Sequence, residues 1–127
     1  MNEYQEYLNK LSNEIIGLAI KVHKELGPGF VESIYEKALA YELRKANIKM
    51  SCQKIIRVDY ENIKIGTQRI DIIVEDLIIL ELKAVSEINE IHEAQLLSYL
   101  KTANIKLGLI LNFAKPTLDI KRIVNKF

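Results

Sequence analysis

Leu8, Leu11, Ile15, Leu18, Val22 and Leu26 recur at three- and four-residue steps, which marks one stripe of an amphipathic helix over Tyr4 to Leu26. Ile16, Ala19, Ile20 and His23 widen the stripe, so this helix is covered on more than one side. Gly27-Pro28-Gly29 ends it, because proline cannot continue the hydrogen-bond ladder and glycine takes the left-handed turn past a helix end. A second helix follows from Val31 to Ala46, with Ile34, Ala38, Leu39 and Leu43 inward and Glu36, Lys37, Arg44 and Lys45 outward. The pattern then shortens to the step of a strand. Lys54 to Tyr60, Ile63 to Val74 and Leu77 to Ala84 read as three strands, the first two joined by a Glu61-Asn62 turn, with Gly66 marking a bulge. Glu87 to Ala103 is helical, capped by Ser86; Lys106 to Asn112 is a buried strand, and Thr117 to Val124 a last edge strand. Gly108 implies a close approach by a neighbouring element.

This order, with a helical crossover before the fourth strand, predicts an α/β domain with a mixed sheet whose first three strands form a meander. At 127 residues, 49% of them hydrophobic, the chain is long enough for one core, and residues 1–127 are read as a single domain. A formal charge of +1 supplies no global basic field, so any nucleic acid must be held by a local patch or through a metal ion. Cys52 stands alone, which excludes an internal disulfide and a cysteine-built zinc site. With no apolar span of membrane length, cytoplasmic residence is the expectation, with no membrane partner.

Three charges break the apolar strands. Asp71 interrupts the second, and Glu81 and Lys83 lie on one face of the third while Ile78, Leu80 and Leu82 point to the other. Two like charges repel by about 4 kcal/mol at ~4 Å in a medium of intermediate dielectric, so neither carboxylate gains from the other. A divalent cation resolves the conflict. The reading carries a condition of register: a two-residue turn at Glu75-Asp76 would put Asp71 opposite Leu80 and the acids on opposite faces. An odd loop or a bulge is therefore expected.

Asp71 followed by Glu81-Leu82-Lys83 resembles the signature of the PD-(D/E)xK nuclease superfamily. Upstream, Gly29-Phe30-Val31-Glu32-Ser33-Ile34-Tyr35 is a literal GxxExxY, and resembles the branch of that superfamily named for it. Downstream, Gln95 to Tyr99 matches a QxxxY element on the helix after the ExK strand. Ile70 stands where the superfamily's namesake proline would be. The resemblance implies a restriction-endonuclease-like αβββαβ core with a mixed central sheet, here with an extra N-terminal helix. It also implies Mg2+ or Mn2+ held by Asp71, Glu81 and the backbone carbonyl of Leu82, with Glu32 acting through a water or a second metal. Lys83 would stabilise developing charge, and Gln95 and Tyr99 would position the scissile phosphate or the attacking water. Arg69, two residues before Asp71, is a candidate phosphate contact, and Tyr35, one turn after Glu32, a candidate substrate contact.

The function implied is hydrolysis of phosphodiester bonds in nucleic acid, DNA ahead of RNA. The alternative is a catalytically silent binding or interaction module on the nuclease fold, in which Lys83 only neutralises Glu81. Pairing of two chains as a homodimer stays open. His23, on the apolar side of the first helix, reads as a satisfied core histidine, and His92 as a surface residue in line with Gln95 and Tyr99.

Overall fold

Helix α1 (Glu3–Leu26) begins at an Asn2 cap whose side chain accepts from the Gln5 N–H, with the Gln5 side chain returning the bond to the Asn2 N–H. Its buried stripe is Leu8, Leu11, Ile15, Ala19 and Val22, and it ends where Gly27 turns left-handed at φ 70°. The computed structural model describes residues 2–126. Helix α2 (Glu32–Lys45) buries Tyr35, Leu39 and Leu43, at steps of four, while Ile34 is 41% exposed. The helix is thus rotated by about one residue from the expected phase. The Tyr35 ring causes it, stacking on Phe113 at 4.4 Å between centroids.

Strands β1 (Met50–Tyr60), β2 (Ile63–Val74), β3 (Ile78–Lys83), β4 (Leu107–Asn112) and β5 (Asp119–Val124) form one sheet in chain order. Only β3 and β4 are parallel, joined by helix α3 (Glu90–Ala103). The α/β class and the mixed sheet therefore hold, and the fold matches a restriction-endonuclease-like core. Strand β1 begins four residues earlier than its pattern indicates, because Met50 to Cys52 pairs with Val74 to Ile72. Asn89, not Ser86, caps α3, its side chain accepting from the Ile91 and His92 N–H groups.

Each sheet face has its own cover. Helices α1 and α2 pack on Ile72, Val74, Ile78, Leu80, Leu82, Leu107, Leu109 and Leu111. Helix α3 packs Leu96, Tyr99 and Leu100 on Ile70, Ile73, Ile79 and Ile110. A Cβ at Gly108 would lie 2.9 Å from the Leu96 methyls, which is the close approach expected there. No helix among the described residues is long and apolar enough to cross a membrane.

Two irregularities shape β2. Val58 pairs with Gly66 and Asp59 with Lys64, leaving Ile65 as the extra residue of a bulge beside Gly66. Farther along, Ile70 and Ile73 both pack on the α3 side, whereas Ile72 and Val74 pack on the other. Alternation slips once, at Asp71. Because β2 pairs with β3 only over Ile72 to Val74, the rest of β1 and β2 runs on as a two-stranded ribbon with Ile55, Tyr60, Ile63 and Ile65 exposed.

Candidate active site

The loop between β2 and β3 holds three residues, Glu75, Asp76 and Leu77, with Glu75 and Asp76 at positive φ and the Leu77 N–H donating to Val74 O at 2.9 Å. The odd loop meets the register condition. Counting on from the last ladder pair, Ile72 with Leu80, Asp71 stands opposite Glu81 where the two strands part. The slip in alternation turns the Asp71 carboxylate into that gap, where Oδ2 accepts from the Leu82 N–H at 3.0 Å.

Glu81 is 5% exposed, and its Oε2 has no hydrogen-bond partner among the described residues. Its Oε1 lies 3.9 Å from the Lys83 ammonium. Burial raises its pKa to about 7; Asp71 adds to the rise and Lys83 opposes it. Burial also raises Asp71, against the Leu82 hydrogen bond, the Lys83 charge and a hydrogen bond from Gln53. Tyr99, on α3, faces the same acids: burial raises its phenol, and Glu81 and Asp71 raise it further. Asp71, Glu81, Lys83 and Tyr99 are thus brought together at the mouth of the gap.

Other expected residues stand apart from that cluster. Glu32, in the first turn of α2, is exposed and reaches Asp71 only through its charge. Gln95 is exposed one turn before Tyr99, and only its backbone carbonyl is engaged, by Ser98 Oγ at 2.7 Å. Arg69 is exposed on the ribbon, opposite Ile55. Tyr35 corrects its expectation. Its side chain is 0% exposed, and its hydroxyl donates to Gly27 O at 2.6 Å and accepts from the Phe30 N–H at 3.2 Å. A buried ring with an engaged hydroxyl has no surface for a substrate, so Tyr35 ties down the Gly27-Pro28-Gly29 turn instead. His92 closes the α3 cap through Nδ1, and His23 is the satisfied core histidine expected, with Nε2 at 2.8 Å from Lys115 O.

A model of one family, the PD-(D/E)XK nuclease superfamily, matches residues 9–123. The chain belongs to the PD-(D/E)XK nuclease superfamily. No curated protein matches the chain. The solved structure titled "Crystal structure of SSO0001" superposes with a TM-score of 0.57 at 18% identity, over 75% of this chain and 50% of that one, a likeness of fold. The chain spans about half the length of that neighbour.

PD-(D/E)XK nucleases generally use divalent metal ions, and the acids of this member fit one. Two carboxylates whose ionised forms burial disfavours, one with an orphaned oxygen, make an all-oxygen recess suited to a hard cation. No group of three His, Cys, Asp or Glu converges as a ligand set among the described residues. The fit is to an ion that keeps much of its water.

Three residues of the site's surroundings escape the sequence reading. Glu36, expected to face outward, is partly buried; burial raises its pKa, and the Asp71 charge adds to the rise. Gln53, across the β1–β2 ladder from Asp71, has a left-handed backbone at φ 52°, which costs about 1 kcal/mol or more. Asn112, 0% exposed and paired with Lys83 in the parallel ladder, accepts from the Val85 N–H at 3.0 Å and donates to Val85 O at 2.8 Å. It fixes the chain just past Lys83. Glu36 was signalled by its position four residues after Glu32; Gln53 and Asn112 had no signal in composition or period.

Proposed function

We propose that this chain is a divalent-metal-dependent nuclease of the GxxExxY branch, hydrolysing phosphodiester bonds in nucleic acid, with DNA favoured over RNA. Residues 1–127 act in this reading as one domain, cytoplasmic in residence. The observation that carries it is the Glu81 carboxylate, buried with Oε2 unpartnered among the described residues at the place where β2 and β3 part beside Asp71. A buried acid left half satisfied is costly, and a cation is the partner that its chemistry asks for.

Asp71, Glu81 and the Leu82 carbonyl would hold Mg2+ or Mn2+, with Glu32 reaching it through a water or a second ion. When bound, the ion polarises the phosphate and acidifies its water. Lys83, whose ammonium already stands beside Glu81, offsets negative charge developing on the phosphate oxygens. The Tyr99 phenol, kept protonated by burial and by both acids, donates a hydrogen bond to the phosphate or to the attacking water. Gln95, one turn earlier and free of side-chain bonds among the described residues, closes on the substrate from the rim. Arg69 on the ribbon contacts a neighbouring phosphate.

Incubation of the purified protein with linear, circular and single-stranded DNA and with RNA, each with Mg2+ or Mn2+, tests the reading. Cleavage that needs the ion and is lost in Asp71→Ala and Lys83→Ala is expected. Cleavage that survives both substitutions would overturn it. Binding of ion and nucleic acid without cleavage would favour the silent binding module.

A further inference from the structure

Gln53 faces Asp71 between the ladder pairs Cys52 with Ile72 and Lys54 with Ile70. A strand residue bearing a side chain stays left-handed only where its surroundings hold it there. The hold here is the side chain. Gln53 Nε2 donates to Glu36 Oε1 at 2.6 Å, and the Gln53 side chain hydrogen-bonds the Asp71 carboxylate as well. An ionised carboxylate only accepts, and a primary amide nitrogen carries two hydrogens. Acids on both sides claim those hydrogens, so the amide oxygen must turn away from both. With Glu36 gone, Asp71 alone would orient the amide, and the side chain would lose the second anchor that holds it in place across the ladder.

We propose that Gln53 and Glu36 are a positioning pair for Asp71. Glu36 anchors the Gln53 amide nitrogen, and the amide holds the Asp71 carboxylate in the gap between β2 and β3, toward the recess shared with Glu81. Neither residue touches the ion or the substrate. The consequence for metal affinity rests on Asp71 being a ligand, as proposed above; the alignment itself does not.

Two variants test it. Gln53→Gly removes the amide while suiting the left-handed backbone, so the fold is kept. Glu36→Gln keeps size and helix but replaces the charge-assisted anchor on the amide with a weaker, neutral one. The metal-free readout is hydrogen exchange at the Leu82 amide, which donates to Asp71 Oδ2. Exchange there is expected to quicken by about tenfold or more in Gln53→Gly and by less in Glu36→Gln, with Ile79 and Leu80 unchanged. Mn2+ affinity by calorimetry is expected to fall by about 10- to 100-fold in Gln53→Gly. Unchanged Leu82 exchange in both variants would overturn the proposal, as would equal quickening along all of β3, which marks general loosening. A wild-type protein that takes up no Mn2+ would sink the nuclease reading, and Leu82 exchange would still decide the pair.

Discussion

Glu81 Oε1 and Lys83 Nζ stand 3.9 Å apart on one face of β3, and the other Glu81 oxygen bonds to nothing among the described residues. An ion pair this loose does not compensate for burying the acid, whose pKa is driven up to about 7 in spite of the lysine. Glu81→Gln should therefore stabilise the metal-free protein at pH 8, by about 1–3 kcal/mol, while ending Mn2+ uptake. Urea unfolding with a chelator present measures the first effect, and calorimetry the second. A loss of stability of the same size would identify the pair as a structural ion pair.

The same acid gives the metal-free protein a pH dependence of defined sign. The folded pKa of about 7 lies above the ordinary 4.5, so between those values the folded state binds the extra proton. Stability from this group is full below the lower value and is lost as pH rises through the upper one, by at most about 3 kcal/mol. Denaturation midpoints measured from pH 5 to 8 should fall with this slope in the wild type and lose it in Glu81→Gln. Added Mn2+ should raise the midpoint more at pH 8 than at pH 5.5, since ion and proton compete for one carboxylate.

Tyr35→Phe separates a structural tyrosine from a substrate contact. The ring keeps its stack on Phe113 but Gly27 O and the Phe30 N–H lose their partner. A cost of about 1–3 kcal/mol in urea unfolding is expected, with KM for nucleic acid unchanged at temperatures where the variant is folded. A raised KM at wild-type stability would restore the substrate role.

Asn112→Ala strips both bonds from the Val85 backbone. About 1–3 kcal/mol of stability should be lost, because a half-buried donor and acceptor are left open. Hydrogen exchange at Val85 should quicken with it. Exchange and unfolding at wild-type values would mean that solvent replaces the side chain without penalty.

Much of this arrangement was legible in the residues. The charges in the β2 and β3 apolar runs pointed to the candidate site, and the parity rule for strands asked for an odd loop or a bulge, of which Glu75, Asp76 and Leu77 form the first. Period alone could not fix the phase of α2, because Ile34 and Tyr35 are both apolar enough to face inward; the stack on Phe113, far along the chain, decides between them. That choice carries Glu36 toward Asp71. Gln53 was hidden for another reason: the left-handed backbone of a strand residue follows from tertiary contacts, and glutamine gives no local hint of it. Asn112 reads only as the last residue of a buried strand until its partner Val85 is known.

Gly108 has a reach beyond β4. The atoms nearest its missing side chain are the Leu96 methyls, and Leu96 sits one helical turn before Tyr99 on the same rigid rod. A Cβ at 108 obliges the Leu96 side chain to give way, and a bulkier residue presses on the rod that carries Tyr99. Gly108 thus acts as a spacer between the sheet and the helix that carries the tyrosine.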